Sequence, residues 1–226
     1  VPASPLDQPI AAVCFDFGGV ICSSPFEAFA HYEQSHGLPP GFLRRLNARN
    51  PDGNAWARLE RAEVEIEEFR ILFEEEARAE GYEVDALDVL GLLGGELRPR
   101  MVRAVRRLRG SVKTALLTNN FALTDPVALA ARFGARSAEV AALLDDFDLV
   151  LESSKVGLRK PEMRYYELAL ELLGVPAAHT VFLDDLGINL KPARALGMHT
   201  IKVESEEQAL AELGALVGLD LLDDAA

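Results

Sequence analysis

Short apolar runs that end in polar residues alternate along this chain with amphipathic stretches. AAVCFDF (Ala11–Phe17) ends at Asp16 and the pair Gly18-Gly19, and VKTALLTNN (Val112–Asn120) ends at Thr118. FDLVLES covers Phe147–Ser153, TVFLDD (Thr180–Asp185) ends in two carboxylates, and HTIKV covers His199–Val203. Near-continuous apolar runs of this length suit strands buried on both faces, which predicts a parallel sheet covered by helices. The stretches between them fit. Arg100–Arg109 puts Met101, Val102, Val105 and Leu108 on one face and arginines on the other. Glu162–Leu173 carries Tyr165, Tyr166, Leu168, Ala169 and Leu172 before Gly174 and Pro176 stop it. Leu190–Leu196 ends at Gly197, and Ser205–Val217 opens on a capping Ser. The expected fold class is α/β, a doubly wound, Rossmann-like parallel sheet formed by residues 9–22 and 98–226.

Roughly 90 residues separate the first two strands, too many for one crossover helix. Their pattern is helical throughout: Phe26–His36, Gly41–Asn47, Asn54–Ala62, Ile66–Glu80 and Asp85–Leu93, with a turn at Asn50-Pro51-Asp52-Gly53. A small all-helical cap is therefore expected over residues 23–97, inserted after the first strand.

Composition narrows the functional classes. The 226 residues are 49% hydrophobic, enough for a core without disulfide or structural metal. The two cysteines, Cys14 and Cys22, make no disulfide framework, so a reducing cytoplasmic compartment is expected. The net charge of −13 repels nucleic acid and anionic lipid, and a phosphorylated substrate needs a local positive site or a metal. No run approaches the ~18 apolar residues of a membrane span. The opening VPASPLDQPI lacks the regions of a signal peptide and is expected to be disordered up to Gln8.

In an open parallel sheet the site lies at the carboxyl ends of the strands. Those ends present Asp16, Thr118, Asp184 and Asp185, and the loop SSKVGLRKPE adds Lys155, Arg159 and Lys160. Hard oxygen ligands suit Mg²⁺, a carboxylate can attack phosphorus, and a lysine can neutralise a transferring phosphoryl group. Singly, each is a cap, a turn or a helix start (Lys160-Pro161); together, on successive strand ends, they read as one site. Arg98, Arg100, Arg103, Arg106, Arg107 and Arg109 read as the solvated face of a helix. Trp56 and Arg58 read as cap packing rather than substrate entry, His31 and His36 as surface residues, and Cys14 as core.

VCFDFGGVI, LLTNN, VGLRKPE and VFLDDLGINLKPARALGMHTIKV resemble the four motifs of the haloacid dehalogenase (HAD) superfamily. Within it the chain looks most like the N-terminal phosphatase-type domains of soluble epoxide hydrolase and acyl-CoA dehydrogenase family member 10. The resemblance implies that Asp16 is the nucleophile that becomes an aspartyl-phosphate and that Lys160 ties it to the transferring phosphate. It makes Thr118 and Asn119 substrate-binding residues. It makes Asp16, the Gly18 carbonyl, Asp184 and Asp185 the Mg²⁺ site, with Asn189 behind it. It departs at Gly18, where most phosphatases of the superfamily carry a second Asp as general acid. Acid catalysis is worth roughly 10²–10⁴-fold, so alkoxide leaving groups should leave slowly here. The implied function is Mg²⁺-dependent hydrolysis of a phosphomonoester, a small metabolite or a lipid phosphate. Two alternatives remain: a catalytically weak phospho-ligand binding domain, and a haloacid dehalogenase in which Asp16 attacks carbon. The expected partner is a small phosphorylated substrate, with no nucleic acid and no membrane insertion; a homodimer is left open.

Overall fold

The structure is a computed structural model that describes residues 9–120 and 134–222. Its strands are β1 (Ala12–Phe15), β2 (Lys113–Thr118), β3 (Leu149–Glu152), β4 (Thr180–Asp184) and β5 (His199–Lys202). They form one parallel sheet in the order β3-β2-β1-β4-β5. Phe15 stands opposite both Leu116 and Leu183, so the carboxyl ends of β1, β2 and β4 lie side by side. The chain winds outward from β1 in both directions. Beside β1 the winding therefore switches, which opens a crevice at the carboxyl ends.

The helices are α1 (Phe26–Ser35), α2 (Phe42–Ala48), α3 (Ala55–Glu60), α4 (Ile66–Ala79), α5 (Ala86–Gly91) and α6 (Pro99–Leu108). After β2 come α7 (Ser137–Leu144), the short α8 (Ser153–Val156), α9 (Met163–Leu173), α10 (Gly187–Ala195) and α11 (Glu206–Val217). Alternate strand residues face opposite layers. Val13, Phe15, Leu116 and Leu183 pack with α6, α7 and α11. Ala12, Cys14, Leu117 and Phe182 pack with α9 and α10. The helices α1 to α5 build a cluster of their own around Phe29, Leu43, Phe69 and Phe73. Two local devices set its entry points. The Asn54 side chain accepts the Ala57 N–H at 2.8 Å and caps α3. The buried Glu33 carboxylate accepts the N–H groups of Gly41 (2.6 Å) and Leu43 (2.9 Å) at the start of α2.

Element ends differ from the sequence pattern where local hydrogen bonding takes over. The strand β1 stops at Phe15: Asp16 still donates to the Leu183 carbonyl, and Phe17 turns away, its carbonyl accepting the N–H groups of Ile21 and Cys22, both at 2.9 Å, in a tight turn. The helix expected from Leu190 starts at Gly187, where the Asp184 carboxylate accepts the Leu186 N–H at 2.8 Å. Two helices were not expected. The first, α7, carries Val140, Leu143 and Leu144 at helical spacing; the second is the single turn α8 inside the SSKVGLRKPE loop. Pro161 does not open a helix, since α9 begins at Met163. The disorder expected up to Gln8 falls outside the described residues. None of the described helices is long and apolar enough to cross a membrane.

Candidate active site

Asp16 follows β1 directly, and its backbone N–H donates to the Leu183 carbonyl at 2.9 Å, which holds it against the end of β4. Its Oδ1 accepts the Phe17 N–H at 2.7 Å and pairs with Lys160 Nζ at 2.7 Å. Lys160 Nζ also donates to Asp184 Oδ2 at 2.9 Å, so one ammonium bridges two carboxylates. That ammonium is buried, with the lysine side chain 1% exposed.

Asp184 is wholly buried and held from several sides. Its Oδ1 accepts Leu186 N–H and Asn189 Nδ2 (2.8 and 3.1 Å), and its Oδ2 accepts Lys160 and Asn189 Nδ2 (2.9 and 3.0 Å). Asn189 is placed by α10, whose first turn faces back to β4, and its carbonyl accepts Tyr166 Oη at 2.7 Å. Asp185 lies beside them. One oxygen each from Asp16, Asp184 and Asp185 fall within 4.8 Å of one another.

Three carboxylates against one ammonium raise the proton affinity of the cluster. Burial pushes the Asp16 carboxyl up to about 7, with Asp184 adding to the shift and Lys160 opposing it. Burial, and then Asp184, push Asp185 up to about 6. Burial pulls the Lys160 ammonium down, but Asp16 and Asp184 outweigh it and leave Lys160 above its ordinary value. A compact set of hard oxygens with excess negative charge fits a small divalent cation.

Thr118 ends β2, buried, with its carbonyl 3.2 Å from Tyr165 Oη. Asn119 uses both ends of its carboxamide on the Lys160 backbone: Nδ2 donates to the carbonyl (2.9 Å) and Oδ1 accepts the N–H (2.8 Å). Gly18 and Gly19 differ sharply. Among the described residues, a Cβ on Gly18 would meet only Pro25 Cδ, at 4.0 Å. Gly19 has φ +76°, and the Asp185 carboxylate fills the place a Cβ would take.

The structure thus joins Asp16, Lys160, Asp184 and Asn189 through direct contacts, sets an Asp185 oxygen within 4.8 Å of the other two carboxylates, and ties Asn119 to them through the Lys160 backbone. Not every residue of the loop faces the site. Lys155 pairs with the buried Glu152 at 2.9 Å, and Arg159 reaches Glu60 of α3 at 2.6 Å. Trp56 packs on Phe69 and Phe73, and Arg58 pairs with Glu68 at 3.0 Å. Arg106 and Arg109 share Asp146 at 2.7 and 2.6 Å. His31 is exposed, and His36 stacks on Tyr32. Cys14 is buried, and burial raises its thiol to about 12, which makes it inert. Sequence reasoning missed Glu60, Asn119's hold on Lys160 and the Tyr165 and Tyr166 hydroxyls. Arg159, next to Lys160, marked the loop, but its sequence neighbours did not point to Glu60.

A buried aspartate–lysine–aspartate cluster thus stands at the switch point of a doubly wound sheet. The family model for haloacid dehalogenase-like hydrolases matches residues 10–197, and the chain belongs to that family. It is 36% identical to mouse (Mus musculus) acyl-CoA dehydrogenase family member 10 over 93% of this chain and 19% of that protein. It is 32% identical to pig (Sus scrofa) bifunctional epoxide hydrolase 2 over 94% of this chain and 40% of that protein. The chain therefore spans only a fifth to two fifths of the length of these relatives. A HAD family enzyme of Bacteroides thetaiotaomicron, solved as a magnesium complex, shares the fold with a TM-score of 0.63. It is 20% identical and covers 91% of this chain and 99% of that one.

Proposed function

We propose that this chain is a Mg²⁺-dependent phosphomonoester hydrolase acting through Asp16, with residues 23–97 as a cap over the core formed by 9–22 and 98–226. The observation that carries the reading is the carboxylate cluster bridged by Lys160. Asp16, Asp184, Asp185 and the Gly18 carbonyl would hold the ion, which would screen phosphate charge as the nucleophile approaches. The magnesium complex of the Bacteroides enzyme, alike in fold, supports that choice of ion.

Phe17 N–H and Lys160 hold Asp16 Oδ1 and so fix the carboxylate at the end of β1. A carboxylate oxygen of Asp16 bonds to phosphorus as the ester P–O bond breaks, and Lys160 balances the charge that moves onto the phosphoryl oxygens. The Thr118 hydroxyl orients those oxygens. Water then attacks phosphorus, releases phosphate and regenerates the carboxylate. Gly18 donates no proton to the leaving oxygen, so substrates whose leaving groups are stable anions react best. The glycine alone also suits dehalogenation, in which Asp16 attacks carbon. That chemistry has no use for a cation, whereas Asp185, set beside Asp16, supplies a ligand for one.

Assays of aryl, acyl and alkyl phosphates with and without Mg²⁺, beside a 2-haloacid, test the reading. Mg²⁺-dependent phosphate release supports it; metal-independent halide release with no phosphate release contradicts it.

A further inference from the structure

Two ion pairs join α3 to the loop that carries Lys160. Arg159 Nε meets Glu60 Oε2 at 2.6 Å with both side chains largely buried, 15% and 10% exposed. Arg159 Nη1 also donates to the Pro51 carbonyl at 2.9 Å. On the other side of Lys160-Pro161, Glu162 Oε1 pairs with Arg61 Nη1 at 3.3 Å. The second oxygen of Glu60 accepts the Trp56 indole N–H at 3.0 Å, and Trp56 is the only tryptophan of the chain. From the core side, Asn119 grips the Lys160 backbone. The lysine that bridges Asp16 and Asp184 thus sits in a segment fastened to the sheet on one side and to α3 on the other.

We propose that Glu60 and Arg159 are positioning residues: their pair binds α3 to the 159–162 loop and so keeps Lys160 Nζ between the two aspartates. Separating a buried pair leaves an uncompensated charge, so α3 cannot lift away freely without pulling on the loop. Arg159 adjoins Lys160, one Cα step of about 3.8 Å, whereas Nζ must stay within hydrogen-bond reach of two oxygens at once. Docking of the cap and assembly of the site become one event. The kinetic consequence rests on the phosphatase reading; the placement of Lys160 does not.

Glu60→Gln, Arg159→Gln, their double variant and Arg159→Lys test this in the full chain. The first readout needs neither metal nor substrate. Acetylation of Lys160 by acetic anhydride is followed by peptide mass spectrometry, with the exposed Lys202 as internal reference. Labelling of Lys160 should rise on the order of tenfold in each Gln variant, and the double variant should match the faster single one. Arg159→Lys keeps the charge but loses the fork that serves Glu60 and Pro51 together, so it should fall between. The fluorescence of Trp56 should change in the same variants, because its indole partner is Glu60. The second readout is Mg²⁺-dependent hydrolysis of p-nitrophenyl phosphate, where kcat should fall more than KM changes. Unchanged protection of Lys160 in folded Glu60→Gln and Arg159→Gln overturns the proposal. If Arg159→Gln does not fold, unchanged protection in Arg159→Lys and Glu60→Gln does the same. A wild type without Mg²⁺-dependent hydrolysis overturns the phosphatase reading, and the labelling still decides the role of the pair.

Discussion

The Asp185 carboxylate occupies the space that a side chain on Gly19 would need. Gly19 therefore does two things that no other residue can: it adopts φ +76° without strain, and it lets the Asp185 carboxylate, proposed above as a metal ligand, pack against the backbone of the turn after Asp16. Gly19→Ala should move Asp185 and weaken Mg²⁺ binding by roughly 10–100-fold, the range for lost support of a metal ligand. It should also cost about 1–3 kcal/mol of stability through backbone strain. Calorimetric Mg²⁺ titration of the folded variant checks this; wild-type affinity would show that Asp185 does not depend on Gly19.

Gly18 is the opposite case. Its φ is not in the left-handed region, and among the described residues a Cβ there meets only Pro25 Cδ at van der Waals distance. Gly18→Asp should fold and should place a carboxyl where the missing acid would act. Rates on alkyl phosphates should rise by up to ~10²-fold, and rates on matched aryl phosphates little, because only alkoxides need the proton. Equal changes on both substrates would mean that proton donation does not limit the enzyme.

Asn119 was expected to touch substrate, and the structure places its carboxamide on the Lys160 backbone. Asn119→Ala leaves that backbone unpaired in a buried site, at a cost of about 1–3 kcal/mol in stability. Its kinetic effect should appear mainly in kcat, as Lys160 loses its place. A rise in KM with kcat unchanged would instead indicate direct substrate contact.

The raised carboxyls set a pH dependence. Asp16 at about 7 and Asp185 at about 6 keep protons in the folded, metal-free protein that the unfolded chain, with values near 3.8, gives up. The stabilisation from these protons is complete below about pH 3.8 and is lost as pH rises through 6 and 7. Mg²⁺ replaces the protons, so it should raise Tm more at pH 8 than at pH 5.5. Thermal unfolding at both values, with and without Mg²⁺, checks this; an equal gain at both would contradict it.

The sheet was legible because its strands are apolar runs closed by Asp16, Thr118 and Asp184, and the parallel register then aligns those ends. The start of α10 was not, because Gly187 depresses helix propensity and the first turn follows a contact from the Asp184 carboxylate to Leu186 N–H. The Glu60–Arg159 pair joins residues 99 positions apart, and no local pattern encodes it. Asn119 could be placed at the end of β2 from the sequence, but the direction of its carboxamide is set by the Lys160 loop. The Gly18-Gly19 pair looks uniform in the sequence; the left-handed backbone of Gly19 and the position of Asp185 separate a required glycine from a replaceable one.

The central claim is that Asp16 carries the phosphoryl group. Acid quenching during turnover of an aryl phosphate, followed by peptide mass spectrometry, tests it most directly. A phosphoryl group is expected on the peptide containing Asp16, absent without Mg²⁺ and absent in Asp16→Asn, which should lose turnover but stay folded. Turnover by Asp16→Asn near the wild-type rate, with no phosphorylated peptide in either protein, would contradict it and would mean that water attacks phosphorus directly.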